Sequence, residues 1–569
     1  VTARAVRIIT EVAAVDRPFD YLVSETTSHV GVGDRVRVDF NHRSVRGWVI
    51  DGATPSPDLK TIKKWLGYGP PSSMLELLHW ASERWYSTWS RLLLGASPRR
   101  VVSSLPHAPA PVPLAVALRA AAWDAPPGVL QLAPTTDPLG LVLGAYEATR
   151  DAEGSLLVLV PTESWASRLR GRLEQRGCAV ASGEEQWDRM RAGWPVVVGA
   201  RGTALAPVPR VAGAVVIDGD DESYRSSATP TWDAVTMLRE RCARDKAPLW
   251  CTSMMPSPAL LDRGGFEKDR DLQGGWPRTV VADRRLSDPH EGVLAPAALE
   301  AARRALDGDE AVAVVVILQR LGSGRLLACV ACGELARCAS CQQGEEEVGE
   351  RLACAERHEL RARFCRACGS TNLKRLRVGV TTLARDVAAQ LRQPVSEVTA
   401  GLDPSSTLAR VVVGTEATWQ RVRRCGVVIF VDFDQYLLAP RDSARRAAVN
   451  AVGKAGRLVG SRREGRGLVV LQTRRSDDPV VRALLDADFD ALIVDDVATA
   501  ELLSLSPYGA SAEVSGEGAE AFVAGLPLEL VTVHQTPSGY AVRAKDVATL
   551  TNALKSVERP AQKFRVAVR

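Results

Sequence analysis

At 569 residues the chain is too long for one ordinary domain, and at about 100–200 residues per unit it should hold about three to five compact units. Its 46% hydrophobic and 24% charged content excludes a chain dominated by disorder or low complexity. Subtracting 67 Asp+Glu from 72 Lys+Arg leaves +5, too little over this length to indicate nucleic-acid or membrane binding by itself, so any electrostatic argument must be regional.

The first residues, VTARAVRIITEVAAVDRPFD, lack a basic-then-apolar export pattern, and apolar runs such as Leu156 to Val160 are of strand length. A cytoplasmic protein with no membrane partner is expected. Residues 1–103 open with RIITEVAA, FDYLV, GDRVRVDF and RGWVID, short strands divided by turn residues, which predict a small β-barrel or sandwich. Helical spacing over Met74 to Trp89 closes this unit. Residues 104–127 carry six prolines around a short Ala-rich stretch and read as a linker.

Beyond it, LLVLV (Leu156 to Val160), VVV (Val196 to Val198), AVVI (Ala214 to Ile217) and LWC (Leu249 to Cys251) alternate with helical segments. Such continuous apolar runs predict a parallel α/β lobe, placed at 128–288. A second set, AVAVVV, VVV, VVIFVD and GLVVLQT, predicts another over 289–324 and 376–497. Residues 498–569 read as a small α+β domain, with strands in AEVSG and LELVTVHQ and a helix near Lys545 to Ser556.

Seven of the 11 cysteines fall between Cys329 and Cys368, inside an insert over 325–375 in the second lobe. In a reducing compartment a disulfide framework is disfavoured and metal ligation is the better cause. Cys329-x2-Cys332, Cys338-x2-Cys341 and Cys365-x2-Cys368 are paired knuckles, with Cys354 and His358 between. Each tight pair sets two thiolates on one side of a zinc ion at Zn–S of about 2.3 Å. Seven cysteines plus His358 supply eight ligands, enough for two zinc ions. A redox role is the alternative, but repeated pairs separated by Gly and charged residues favour zinc ribbons.

With this insert inside a second α/β lobe, the chain resembles the primosomal replication-restart PriA family. At the amino end RPFDYLV (Arg17 to Val23), VGDRVRVDF (Val32 to Phe40) and RSVRGWV (Arg43 to Val49) look like that family's domain for the 3′ end of a nascent leading strand. Then LVPTE, VGARGTALAPVP, IDGDDESY, TSMMPSP, the Cys pairs and VGKAGR follow the order of its helicase motifs. The resemblance implies a multidomain α/β protein: a β-barrel-like DNA-binding domain, two RecA-like lobes, a zinc insert and a small carboxyl-terminal domain. The segment from Pro106 to Leu132 is too short for the family's winged helix. Ala- and Arg-rich usage fits an actinobacterial-type member.

Several motif positions depart from the family. Its phosphate loop, of the G-x-T-G-S-G-K-T type, corresponds to Ala133 to Gly140, with Pro138 at the lysine position and Leu139 at the hydroxyl that holds magnesium. In the D-E-x-H motif Asp218 remains, while Gly219 replaces the glutamate that orients the attacking water. In the last motif Lys454 takes the first arginine position and Arg457 keeps the second. No catalytic residue, no ATP/Mg2+ cofactor and no unwinding are therefore expected.

By the same resemblance, Phe19, Asp20 and Tyr21, with Lys60, stand where the 3′-end pocket lies; equally, Phe19 and Tyr21 would fill the barrel core. Residues Ala417 to Arg466 hold 11 Lys/Arg against four Asp/Glu, and Arg421, Arg423 and Arg424 are candidates for a DNA backbone. The family pattern pairs Cys329, Cys332, Cys365 and Cys368 around one zinc and Cys338, Cys341 and Cys354 around the other. Its eighth cysteine falls at Arg357, which cannot ligate, so His358 becomes the ligand. The expected function is recognition of stalled forks and reloading of the replication machinery, with single-stranded DNA-binding protein and helicase-loading factors as partners. Two other readings use the same residues: an active ATP-dependent 3′-to-5′ helicase, and a zinc-dependent adaptor that binds only proteins.

Overall fold

Alternating apolar residues build the amino-terminal unit as a five-stranded antiparallel sheet, in the order β2-β1-β4-β3-β5. Its strands are β1 (Arg4–Thr10), β2 (Phe19–Val23), β3 (Arg35–Phe40), β4 (Arg43–Ala53) and β5 (Lys64–Trp65). The computed structural model describes residues 4–569 except 13–14, 116–117, 119–121, 263–264, 287–290, 320–326, 341–343, 355–357, 376–379, 400–405, 440, 537–538 and 561. Val6, Ile8, Tyr21, Val36, Val38 and Val49 fill the sheet's core. The helix expected from Met74 to Trp89 is two helices, Ser72–Arg84 and Trp89–Ala96. Between them Tyr86 takes a φ of 47°, a left-handed turn that ends the first.

The first lobe is a seven-stranded parallel sheet, β12-β6-β11-β10-β7-β9-β8. Its strands are β6 (Gly128–Gln131), β7 (Ser155–Leu159), β8 (Val180–Ala181), β9 (Val196–Gly199), β10 (Val211–Val216), β11 (Leu249–Ser253) and β12 (Gly265–Lys268). The second lobe is a six-stranded parallel sheet, β13-β23-β22-β14-β21-β20. It comprises β13 (Thr279–Asp283), β14 (Val314–Ile317), β20 (Val395–Val398), β21 (Val411–Gly414), β22 (Val427–Phe430) and β23 (Leu468–Thr473). Central strands of both lobes are buried on both faces, hence their unbroken Val, Leu and Ile runs. One boundary is corrected: Thr279–Asp283, placed by sequence in the first lobe, pairs in parallel with β23. Trp276, fully buried 4.6 Å from Phe489, carries the chain into that lobe.

Between β14 and the helix Val380–Leu391 stands the insert. It has one antiparallel pair, β15 (Leu327–Cys329) with β19 (Leu373–Arg375), and a three-stranded sheet of β16 (Glu345–Val348), β17 (Arg351–Cys354) and β18 (Arg361–Ala362). The last unit is a four-stranded antiparallel sheet, β25-β26-β24-β27, formed by β24 (Ala510–Gly516), β25 (Thr532–Thr536), β26 (Gly539–Ala544) and β27 (Phe564–Val568). Its helix Val547–Lys555 returns to the first unit, where Lys555 meets Glu83 at 2.6 Å. Among the described residues no helix is long and apolar enough to cross a membrane.

Candidate DNA-end site, interlobe cleft and metal centres

Three places carry chemistry, and the first is the edge of the amino-terminal sheet. The β1–β2 register sets Phe19 opposite Ile8, Asp20 opposite Arg7 and Tyr21 opposite Val6. Because side chains alternate along a strand, Phe19 and Tyr21 face the core and Asp20 faces away from it. Tyr21 is buried and its hydroxyl donates to the Asp39 carbonyl at 3.1 Å, so it packs the barrel rather than joining Asp20. Phe19 lies at the rim, half-buried, 4.9 Å from the Phe40 ring and 5.2 Å from the Arg17 guanidinium. Arg7, which sequence reasoning missed, holds the Asp20 carboxylate at 3.0 Å.

Beside them, the Leu22 N–H donates to the Lys60 carbonyl at 2.9 Å, and the Leu22 carbonyl accepts from Ile62 at 2.9 Å. The backbone of Leu22 thus points away from β1, and the two-residue period turns that of Asp20 the same way, along the sheet edge. Lys60 is exposed next to this edge. Asp20 and Phe19 thus follow one another on the edge strand, on opposite faces, with Lys60 exposed in the segment that pairs with Leu22, while Tyr21 belongs to the core.

The second place is the cleft between the lobes. Two backbone donors of the loop Ala133 to Gly140 are bonded within the loop itself. The Thr136 N–H donates to the Ala133 carbonyl at 3.1 Å, and the Leu139 N–H to the Asp137 carboxylate at 3.1 Å. Pro134 and Pro138 have no N–H to give. Asp137 is itself paired with Arg172. Gly219 is open: a Cβ there would meet Leu260 and Thr252 at 3.4–3.6 Å, ordinary contact, so the backbone does not demand glycine.

The helix Ala444–Val459 of the second lobe closes the other side. From it Arg457 reaches into the first lobe, donating from Nε to the Pro134 carbonyl at 3.0 Å and from Nη2 to Asp218 Oδ1 at 2.9 Å. Its Nη1 lies 2.6 Å from Asp218 Oδ2, and the guanidinium stands 4.7 Å over the Trp165 ring. Lys454 Nζ lies 2.8 Å from Asp221 Oδ2. Burial pushes the Asp221 carboxyl up, but the ammonium outweighs it and leaves the group below the usual carboxylate range; the Lys454 ammonium is raised despite burial by Asp221 and Glu416. A third contact, Arg441 to Glu222 at 2.5 Å, lies beside these. Trp165 and Asp221 had no signal in the sequence, since their roles exist only once the lobes meet.

The basic stretch is mostly neutralised within the chain. Arg424 pairs with Glu310 at 3.1 Å, Arg446 with Asp496 at 2.5 Å, and Arg421 donates to the Ser406 carbonyl at 3.0 Å. Arg423 is exposed and close enough to Arg168 of the first lobe to help burial push that guanidinium's pKa down. Tyr224 is core, its hydroxyl donating to the Ile217 carbonyl at 2.6 Å, and Trp232 packs partly buried beside Arg201.

The third place is the insert. Sγ atoms of Cys329, Cys332, Cys365 and Cys368 lie within 4.8 Å of one another, with Cys329–Cys368 at 3.5 Å and Cys332–Cys365 at 3.6 Å. A tetrahedron with Zn–S of about 2.3 Å has edges of about 3.8 Å, so the set fits a metal of zinc's size. Both knuckles end on a glycine at positive φ, Gly333 at 74° and Gly369 at 76°. Each donates its N–H back to the first cysteine of its pair, at 2.9 and 2.8 Å. Cys338, Cys354 and His358 form a second group, with His358 Nδ1 3.5 Å from Cys354 and 4.0 Å from Cys338. Cys341, expected as its fourth ligand, lies outside the described residues.

Comparison with known proteins gives the same picture. Residues 7–98 match the family model for the PriA 3′ DNA-binding domain. The probable replication restart protein PriA of Mycobacterium tuberculosis is 27% identical over 545 residues, covering 83% of this chain and 80% of its own. The replication restart protein PriA of Synechocystis is 23% identical over 414 residues, covering 62% and 48%. The chain spans about half the length of the Synechocystis and Thermotoga maritima relatives, 48% and 52%. Among solved structures, Saccharomyces cerevisiae Dbp5 bound to RNA and ADP BeF3 aligns with 66% of this chain and 84% of its own, at a TM-score of 0.35 and 10% identity. The Mycobacterium smegmatis helicase Lhr bound to ssDNA and AMP-PNP aligns at 0.35 and 14%, over 68% and 50%. Two parallel α/β lobes, an amino-terminal sheet that matches a 3′ DNA-binding domain and a cysteine-rich insert are thus joined in one chain. The chain is similar to replication restart proteins PriA, and its match to the PriA 3′ DNA-binding domain spans residues 7–98.

Proposed function

We propose that this chain recognises forked DNA through the 3′ end of the nascent leading strand and promotes reloading of the replication machinery without ATP-driven unwinding. The observation that carries the first half is the match of residues 7–98 to the 3′ DNA-binding domain, on a sheet whose edge strand bears Phe19 and Asp20 with Lys60 exposed in the segment beside it. A carboxylate on an open edge can accept a 3′-hydroxyl hydrogen bond, an aromatic rim can stack a base, and a lysine can meet phosphate. The second half is supported by the cleft. Its loop amides at Thr136 and Leu139 are occupied, the lysine and hydroxyl positions are Pro138 and Leu139, and Gly219 is not a steric necessity. Phosphoryl transfer is positioning and charge stabilisation, and Pro138, Leu139 and Gly219 stand where three of the groups that supply them would be. Zinc at both cysteine groups would hold the insert's shape. The remaining expectations follow this reading: single-stranded DNA-binding protein and helicase loaders as partners, and a cytoplasmic, nucleoid-associated location.

An ATPase and fork-binding assay on one preparation tests the reading. Fork binding without nucleotide and no DNA-stimulated ATP turnover is the expected result. Turnover lost on Asp218→Ala would replace it with an active helicase, and absence of fork binding with an adaptor. At the DNA end, Asp20→Ala should abolish a preference of about tenfold for a free 3′-hydroxyl over a 3′-phosphate, the worth of one charge-assisted hydrogen bond. Generic binding should change little; equal binding of both ends by the unsubstituted protein would refute the pocket.

A further inference from the structure

The interlobe cleft contains side chains where a nucleotide would bridge the lobes. In a two-lobed nucleotide-driven machine, the phosphates supply the negative charge that draws the second lobe's cations across. Here the charge is supplied by the first lobe. Asp218 takes Arg457 at 2.6 and 2.9 Å, Asp221 takes Lys454 at 2.8 Å, and Glu222 takes Arg441 at 2.5 Å. Asp218 and Asp221 are buried, so these contacts are screened by solvent far less than surface pairs. The Pro134 carbonyl adds a neutral acceptor for Arg457, and Trp165 covers its guanidinium face.

Close packing makes the same closure steric. A Cβ at Gly453 would lie 2.1 Å from Met254 Sδ, and one at Gly456 would lie 2.9 Å from Pro277. The helix Ala444–Val459 therefore rests on the first lobe at Gly453, while Gly456 lies against the crossover at Pro277 with Pro134 of the first lobe at 3.4 Å. Ala133, Met254 and Met255 of the first lobe share one apolar cluster with Ala451, Val452 and Ala455 of that helix. Opening the lobes would expose this apolar contact and leave Asp218 facing Asp221 with no cation between the lobes.

We infer that Arg457 and Lys454, with Asp218 and Asp221, form a built-in lock that holds the lobes closed without nucleotide. This deepens the reading of the cleft as one that does not cycle ATP. Small-angle scattering and hydrogen exchange on the full chain test it, in three arms: the unsubstituted protein, Lys454→Ala/Arg457→Ala, and the wedge variant Gly453→Val. In the unsubstituted protein, Mg·ADP·BeF3 should change neither the radius of gyration nor exchange in the helix Ala444–Val459. Both variants should expand, and amides of that helix and of Ala133 to Gly140 should exchange about tenfold faster, while exchange inside β7 and β22 stays unchanged. The charge-reversed pair Asp218→Arg/Arg457→Asp should recover part of the closure. Compact variants with unchanged exchange would overturn the lock and leave the nucleotide-free reading standing. Closure driven by Mg·ADP·BeF3 in the unsubstituted protein would overturn both.

Discussion

Cys365→Ser is expected to release one zinc ion per chain and to unfold the insert, with the lobes left folded. Metal analysis of the intact protein should return two zinc ions. The insert's own apolar cluster is Leu327, Cys329, Ala336, Leu352, Cys365 and Leu373, and two of those six are candidate ligands. A core that small does not offset the entropy of ordering its loops, so metal binding supplies the folding free energy, of order 10–16 kcal/mol in zinc-finger peptides. Removing one thiolate leaves only Cys329, Cys332 and Cys368 to hold an ion there. His358→Ala should remove the other ion selectively, since its Nδ1 stands 3.5 Å from Cys354. Loss of both ions by Cys365→Ser would show the two centres to be one cooperative unit. One zinc in the intact protein, unchanged by His358→Ala, would show that the second group holds none.

The cysteine spacing made this part of the molecule legible because ligand geometry is local: each Cys-x2-Cys-Gly turn carries its own instructions, including the positive φ at Gly333 and Gly369. The parallel sheets were legible for a related reason, as strands buried on both faces must be continuously apolar, which Val196 to Val198 and Val411 to Val413 are. The edge strand Thr279–Asp283 was not. Its lobe is decided by the fully buried Trp276 and its contact with Phe489, more than two hundred residues away. At the 3′-end site sequence adjacency misled in part: Phe19, Asp20 and Tyr21 follow one another, but a strand's two-residue period puts the carboxylate and the rings on opposite faces. The basic stretch misled differently. Counting charges gave a local +7, whereas Arg424, Arg445 and Arg446 are each answered by a carboxylate brought from elsewhere in the fold. Charge counts locate donors; only tertiary structure says whether they remain available to a phosphate.

Glu345→Ala should destabilise the insert by about 3–5 kcal/mol, the range for removing one partner of a buried ion pair. Glu345 and Arg361 are 1% and 5% exposed, the most enclosed ion pair among the described residues. Arg361 donates from Nε to both Glu345 oxygens at 2.9 and 3.0 Å, and from Nη1 to the Phe364 carbonyl at 2.6 Å. The guanidinium thus ties β16 to the backbone one residue ahead of Cys365 with no metal in the link. Deleting the carboxylate leaves a buried cation without its counter-charge, while Arg366, 4.0 Å from the same oxygen, adds a second positive charge to the vacated space. Swapping both partners for apolar residues, Glu345→Leu/Arg361→Met, should cost less than Glu345→Ala alone, because no charge is stranded. Chelator competition reads the effect: weaker retention of the ion at Cys365 in Glu345→Ala, with retention partly recovered in the double variant, follows from the geometry. Equal zinc retention in all three proteins would mean that the ligands alone fold the insert and that the ion pair contributes nothing to it.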